Sequence, residues 1–106
     1  MFIPKAIYIS AGHGGYTWWG TQDKGASYNG FNERDLMVKL ARKVIKILKH
    51  KDELKTTNIF DVGVETNARS LKKVKYINQS IKMSKYNNDD CLYFDLHLNS
   101  AKQKAS

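Results

Sequence analysis

The sequence has a single cysteine, no long apolar run and too few acidic residues to balance its basic ones. With Cys91 alone the chain cannot form an internal disulfide, and we expect this thiol to be a small core side chain. No stretch approaches the roughly 18 consecutive apolar residues that span a membrane, and residues 1–5 lack the charged start and apolar core of a secretory signal. We therefore expect synthesis in the cytoplasm and no membrane partner.

The excess of basic residues indicates an acidic partner. Lysine and arginine number 18 against 10 acidic residues, which gives a net charge of +8. Such a charge attracts anionic polymers, and nucleic acid and an anionic bacterial cell wall both meet that description. Alternatively, the lysines only solvate the polar faces of helices. Nucleic acid is the less favoured partner, because aromatic and basic residues are not interleaved on a predicted strand or recognition helix.

A chain of 106 residues is long enough for one hydrophobic core. Its pattern predicts strands at 7–9, 56–62 and 91–98 and helices at 33–49 and 70–85. This alternation is typical of an α/β fold, with a mostly parallel sheet flanked by helices. The apolar faces predicted for the two helices comprise Leu36, Leu40, Val44, Leu48, Met37, Ala41 and Ile45 in the first, and Leu71, Val74, Ile77 and Ile81 in the second.

A histidine follows the first predicted strand. Gly12 ends the apolar run, and Gly14 and Gly15 come directly after His13. Glycines on both sides let the backbone and a ligand approach the imidazole closely. The carboxyl end of a core strand is also where α/β sheets place their ligands. His13 is therefore a candidate functional residue, although a histidine that only caps a turn would produce the same pattern.

A second histidine, His97, falls at the end of the third predicted strand. The carboxyl ends of parallel strands share one edge of a sheet, so we expect His13 and His97 to approach each other there. Glu33, in the first turn of the first helix, can face the same edge. Two imidazoles and one carboxylate with an open fourth position form the ligand set of a catalytic zinc site. Such a metal lowers the pKa of its bound water to about 7 and polarises a carbonyl.

The loop at 16–32 is rich in glycine and small polar residues and carries Trp18 and Trp19. A loop of this length in a small domain is usually functional. The two indoles could form a platform for a sugar or an acyl chain, because an aromatic face buries much area at little entropy cost. Alternatively, they pin the loop onto the domain.

Several blocks of the sequence resemble the zinc-dependent N-acetylmuramoyl-L-alanine amidases of the amidase-3 type, which include phage endolysins. The blocks are IYISAGHGG at 7–15, GA at 25–26, GFNERDL at 30–36, ARSL at 68–71, IN at 77–78 and LHLNSA at 96–101. The resemblance implies hydrolysis of the peptidoglycan amide between N-acetylmuramic acid and the first alanine of the stem peptide. It also implies a zinc ion held by His13, Glu33 and His97. We assign Asn99, in the last block, to substrate binding together with the two tryptophans.

The chain departs from the family pattern at two points. Asp95 stands where the family often has serine, on the same strand face as His97. It could orient that imidazole from behind the metal, or simply be neutralised by a lysine. In addition, family members continue past the second histidine to a glutamate that acts as general base and acid, and no residue here matches it. The catalytic base is therefore unassigned.

These features predict that residues 1–106 form the N-terminal, metal-binding part of an amidase catalytic domain, that is, an incomplete amidase-3-like domain. Its expected partners are peptidoglycan and either the missing C-terminal part of the domain or a wall-binding domain. The favoured function is a peptidoglycan hydrolase that acts on the cell wall after release from the cell. The alternative is a truncated, non-catalytic module that binds zinc or the cell wall.

Overall fold

Five strands and two α-helices make up the part of the chain that the computed structural model describes, residues 2–16 and 19–98. The strands are β1 (Ala6–Ala11), β2 (Ser27–Tyr28), β3 (Phe31–Asn32), β4 (Asn58–Asp61) and β5 (Cys91–Leu96), and the helices are α1 (Glu33–Lys49) and α2 (Ser70–Ser84). Single turns of 3₁₀ helix at Asp52–Leu54 and Asn88–Asp90 precede β4 and β5. None of the helices in these ranges is long and apolar enough to cross a membrane.

Strand β1 is the centre of a three-stranded parallel sheet with the order β4-β1-β5. All six residues of β1 are buried, as expected for an apolar strand with a neighbour on each side. The predicted α/β fold with a parallel sheet flanked by helices is thus confirmed. Because both neighbours run parallel to β1, the carboxyl ends of β1 and β5 lie at one edge of the sheet.

The two helices cover opposite faces of this sheet. Alternate residues of a strand point to opposite faces, so β1 contributes to two separate apolar clusters. On one face, Ile7, Ile9 and Ala11 pack with residues of α1 and with Val64. On the other face, Ala6, Tyr8 and Val62 pack with Ile77 and Ile81 of α2. Cys91 is half-buried against this second cluster.

Helix α1 begins at Glu33 because Asn32 caps it. The Asn32 side chain accepts a hydrogen bond of 2.8 Å from the Asp35 backbone N–H. Met37 and Ala41 are the buried residues that face the sheet. The prediction that Leu40 joins this face is wrong, because Leu40 is 42% exposed. The cap matters for the site, since it determines where the Glu33 side chain leaves the helix.

The apolar face predicted for α2 is only partly correct. Ile77 and Ile81 pack against the sheet, but Leu71 and Val74 are more than half exposed. Lys73, which the pattern assigns to the solvent side, is instead buried. The physical reason is that Lys73 reaches backbone carbonyl oxygens in the turn after β1, which provide hydrogen-bond acceptors inside the protein.

Strand β5 is the exposed edge of the sheet. It pairs with β1 on one side, and in the described ranges no strand pairs with its other side. Leu92, Tyr93 and Phe94 are between 36% and 47% exposed, and they alternate between the two faces. Both faces and the free edge of β5 are therefore accessible.

The loop between β1 and α1 is more regular than its composition predicts. Strands β2 and β3 form a short antiparallel pair, and Tyr16 pairs with Gln22 through an isolated bridge. Two backbone hydrogen bonds join Gly14 and Gly15 to Asp23 at 2.9 and 2.8 Å. The loop therefore folds back onto the end of β1, which brings Asp23 close to His13.

Candidate metal centre

His13, Glu33 and His97 meet at the carboxyl edge of the sheet. One ligand atom from each side chain lies within 4.8 Å of the others. The two imidazole centroids are 5.2 Å apart, and the rings are nearly perpendicular at 77°. His13 follows β1, His97 follows β5 and Glu33 opens α1, so three different elements position the group. The structure thus brings together the three residues expected to do so, and their role as metal ligands stays a prediction.

Glu33 is the centre of this group. Its side chain is only 5% exposed, with Oε1 at 3.1 Å from Nε2 of His13 and Oε2 at 2.9 Å from Nδ1 of His97. The backbone N–H groups of Ala26 and Leu98 also donate to this carboxylate, each at 3.3 Å. Burial raises the pKa of Glu33, but the hydrogen bonds and the two histidines outweigh it, so the pKa lies below its usual value. Glu33 is therefore a buried carboxylate that stays charged.

Each histidine has a second carboxylate on its other ring nitrogen. Nδ1 of His13 lies 2.9 Å from Oδ1 of Asp23, and Nε2 of His97 lies 2.9 Å from Oδ2 of Asp95. The hydrogen bonds with Asp95 and Glu33 raise the pKa of His97 and outweigh burial, which lowers it, so the pKa lies above its usual value. A carboxylate on one nitrogen fixes the imidazole and leaves the other nitrogen for a metal. This is the geometry that an orienting role for Asp95 requires.

Sequence reasoning missed Asp23. Its only signal was its place in the glycine-rich loop, two residues before Gly25. The Asp23 carboxylate also accepts a hydrogen bond of 3.3 Å from the Gly25 N–H, so it links the loop to the His13 imidazole. The same kind of contact therefore supports both histidines, from a loop at His13 and from a strand at His97.

Two glycines leave room for the group. A Cβ on Gly12 would overlap the His97 imidazole. Gly25 has a φ of +72°, and a Cβ there would lie 2.6 Å from Cδ2 of His13 and 2.8 Å from Oε1 of Glu33. Neither position tolerates a side chain without a shift of the site, and at Gly25 the backbone conformation also favours glycine.

The donor set fits a zinc ion. Imidazole nitrogen and carboxylate oxygen are both common zinc ligands, and three protein ligands are typical of catalytic sites. The negative charge of Glu33 would balance part of the charge of a divalent cation. The His13 and His97 side chains are 29% and 48% exposed, so the group opens to solvent on one side. That opening is where a fourth ligand would bind.

Of the three predicted substrate-binding residues, the structure describes Trp19. Trp18 and Asn99 lie outside the described residues. Trp19 is 86% exposed, so its indole presents a large apolar surface to solvent. A role for these three residues in substrate binding stays a prediction.

Comparisons with known proteins identify one family. The family model described as N-acetylmuramoyl-L-alanine amidase, Amidase_3, matches residues 7–106. The endolysin of Bacillus phage SPP1 is 36% identical over 72 residues, which cover 66% of this chain and 24% of the endolysin. The chain thus spans about a quarter of the length of this curated relative. No solved structure gives a significant match. On the family match, which includes all three residues of the candidate metal centre, the chain belongs to the amidase-3 family of N-acetylmuramoyl-L-alanine amidases.

Proposed function

We propose that this chain carries the metal-binding part of a zinc-dependent N-acetylmuramoyl-L-alanine amidase. Its substrate is peptidoglycan, and the bond cleaved is the amide between the lactyl group of N-acetylmuramic acid and L-alanine of the stem peptide. The observation that carries this proposal is the meeting of His13, Glu33 and His97 in a member of this family. When bound, zinc would supply a Lewis acid that activates water and polarises the amide carbonyl.

The surrounding residues prepare the group for this role. Asp23 and Asp95 hold the two imidazoles in fixed orientations through their outer nitrogens. Glu33 provides a charged oxygen inside the protein, and its hydrogen bonds from Ala26 and Leu98 fix the carboxylate. The exposed side of the imidazoles leaves a path for the substrate. This arrangement is pre-organised, which is what a metal centre of low reorganisation cost requires.

Amide hydrolysis also needs a proton for the leaving nitrogen. The two aspartates nearest to the group are hydrogen-bonded to imidazoles, and Glu65 is paired with Arg42 at 2.6 Å on the surface. A positioned acid or base contributes typically 10²–10⁴-fold in rate. We therefore propose that efficient hydrolysis needs further sequence or a second polypeptide. The free edge of β5, with its exposed apolar side chains, is suited to pair with such a segment.

The name of the phage relative supports a proposal for where the protein acts. The matched relative is named an endolysin, and the net charge of +8 suits an anionic cell wall. We propose that the protein acts on the cell wall after release from the cell that made it.

Metal binding is the first test of this proposal. Zinc affinity is measured by competition with a chromophoric chelator for the wild-type chain, Glu33→Gln and Glu65→Gln. The Glu65 variant is a matched control, because Glu65 is exposed and its carboxylate pairs with Arg42 and not with an imidazole. We expect one zinc per chain, a loss of affinity beyond about 100-fold in Glu33→Gln, and no change in the control. Equal affinity in all three proteins would contradict the proposed site.

The bond that is cleaved is the second test. In a chimaera, residues 1–98 replace the matching segment of the SPP1 endolysin, and the purified protein is incubated with cell walls. We expect stem peptides with a free L-alanine amino group, detected by mass spectrometry, and none with the Glu33→Gln chimaera. New reducing sugar ends would instead show cleavage of the glycan. A chimaera that binds zinc and walls without cleavage would favour the non-catalytic module.

A further inference from the structure

Two buried cations lie behind the turn that carries His13. Lys73 of α2 is 3% exposed, and Arg34 of α1 is 5% exposed. The Lys73 ammonium donates to the carbonyl oxygens of Ala11 and His13 at 2.7 and 2.8 Å. Nη1 of Arg34 donates to the same two oxygens at 2.6 and 3.1 Å. Each carbonyl oxygen thus accepts from both cations, and the turn after β1 is fixed from two helices.

These cations have no direct carboxylate partner in residues 2–16 and 19–98, where every salt bridge involves other basic groups. Burial lowers the pKa of both Lys73 and Arg34. Removing a charge from water is unfavourable unless strong hydrogen bonds compensate it. The carbonyl oxygens supply that compensation, so the contacts of Lys73 with the turn are the reason that it can be buried.

The turn itself is strained. His13 has a φ of +66°, in the left-handed region that residues other than glycine rarely adopt. Such conformations persist where surrounding contacts over-determine them, and they are often found at functional sites. The carbonyl oxygens that the cations hold belong to His13 and to the residue two positions before it. The held segment therefore includes the strained residue and determines where its imidazole points.

We propose that Lys73, together with Arg34, is a positioning residue that holds the Ala11–His13 turn so that Nε2 of His13 faces Glu33. Lys73 acts through the backbone and is not a ligand or a catalytic group. The inference deepens the proposed function and rests on it for the effect on metal binding. The effect on the turn does not depend on a metal.

Lys73 has the more specific role of the two cations. Arg34 also donates to the carbonyl oxygens of Gly63 and Val64, so it supports a second segment of the chain. The ammonium of Lys73 makes its hydrogen bonds to Ala11 and His13. A change at Lys73 therefore tests the turn with the smaller effect on the rest of the fold.

The test compares Lys73→Met, Lys73→Gln and Lys73→Arg with Lys75→Met. The last is a matched control, because Lys75 is exposed on the same helix and loses the same charge. The first readout is amide hydrogen exchange of the metal-free proteins at Gly14, whose N–H donates to the Asp23 carbonyl at 2.9 Å. The reference amide is that of Val62, which donates to the Ile9 carbonyl at 2.8 Å in the core. The second readout is zinc affinity.

In Lys73→Met and Lys73→Gln we expect exchange at Gly14 to accelerate at least about tenfold while Val62 stays protected. Zinc affinity should fall about 10- to 100-fold, the usual effect of losing a group that supports a ligand. Lys73→Arg keeps the charge and the donors, so both readouts should return to within a few-fold of wild type. Lys75→Met should change neither.

Three results would overturn the proposal. They are unchanged exchange at Gly14 in a folded Lys73→Met, equal acceleration at Gly14 and Val62, and loss of the fold in both the Met and the Gln variants. The last two would show that Lys73 supports the whole domain and not the turn. If the wild-type chain binds no zinc while the Lys73 variants show the expected changes in exchange, the proposed metal centre is wrong and the role of Lys73 stands.

Discussion

The two histidines of the candidate metal centre share their chemistry but not their surroundings. Each has one ring nitrogen toward Glu33 and the other toward an aspartate. His13 follows the fully buried strand β1, whereas His97 follows the exposed edge strand β5. The His97 side chain is correspondingly more exposed than that of His13, at 48% against 29%. One half of the centre is thus built into the core, and the other half depends on an edge of the sheet that is open in the described residues.

This difference separates two requirements of a metal site. The His13 half is pre-organised by a strained turn, a loop carboxylate and two buried cations, none of which belongs to the edge of the sheet. The His97 half has its aspartate and Glu33, but within residues 2–16 and 19–98 no strand pairs with the outer side of β5. We therefore expect substitutions near β1 to affect folding and metal binding together. Substitutions near β5 should affect mainly metal binding and association with other segments.

The largest expected effect comes from a matched pair of core and edge residues. Ile9 and Phe94 are register partners on the same face of the sheet, yet Ile9 is 1% and Phe94 is 47% exposed. Ile9→Ala should lower the free energy of unfolding by about 2–5 kcal/mol, because it leaves a cavity in the core. Phe94→Ala should lower it by less than about 1 kcal/mol. Urea unfolding of both variants measures the difference, and equal losses would mean that β5 is covered in solution.

The second effect concerns the two glycines beside the imidazoles. Gly25→Ala places a Cβ against His13 and Glu33 in a left-handed backbone, which costs about 1–2 kcal/mol before any displacement of the site. Gly12→Ala meets only the imidazole of His97 among its nearest contacts, and that side chain is 48% exposed, so its displacement disturbs less of the core. We expect Gly25→Ala to reduce both the melting temperature and zinc affinity, and Gly12→Ala to reduce chiefly zinc affinity. A greater loss of stability in Gly12→Ala than in Gly25→Ala would contradict the view that the His13 half is the one tied to folding.

The smallest effect is expected at the aspartates that support the imidazoles. Asp23→Asn and Asp95→Asn each keep the shape of the side chain and remove its charge. Zinc affinity should fall about 10- to 100-fold in each. The loss should be greater for Asp23→Asn, because Asp23 also accepts from the Gly25 N–H. Isothermal titration with zinc compares the two variants. An unchanged affinity in both would show that these carboxylates do not support metal binding.

The parts of the fold with a periodic signal could be predicted from the sequence. The alternation of Leu92, Phe94 and Leu96 marked β5, and Asn32 before Glu33 marked the start of α1. Parallel topology then required the ends of β1 and β5 to share one edge. That single step predicts His13 near His97, with Glu33 facing them.

Contacts with the backbone could not be predicted in this way. Lys73 has the sequence environment of a solvent-facing lysine, and its partners are carbonyl oxygens that every residue possesses. Asp23 meets His13 only because the loop folds back through backbone hydrogen bonds to Gly14 and Gly15. Leu71 and Val74 have helical spacing, but spacing does not show which apolar residues of a helix the rest of the fold covers.

X-ray absorption at the zinc edge of the zinc-loaded chain tests the central claim most directly, because it reports the ligands themselves. The account predicts two imidazole nitrogens and one carboxylate oxygen at about 2.0–2.2 Å, with the remaining position open to solvent. His13→Ala and His97→Ala should each remove one imidazole from the shell. A spectrum without imidazole scattering, or with a sulfur ligand from Cys91, would contradict the assignment of His13, Glu33 and His97 as the metal centre.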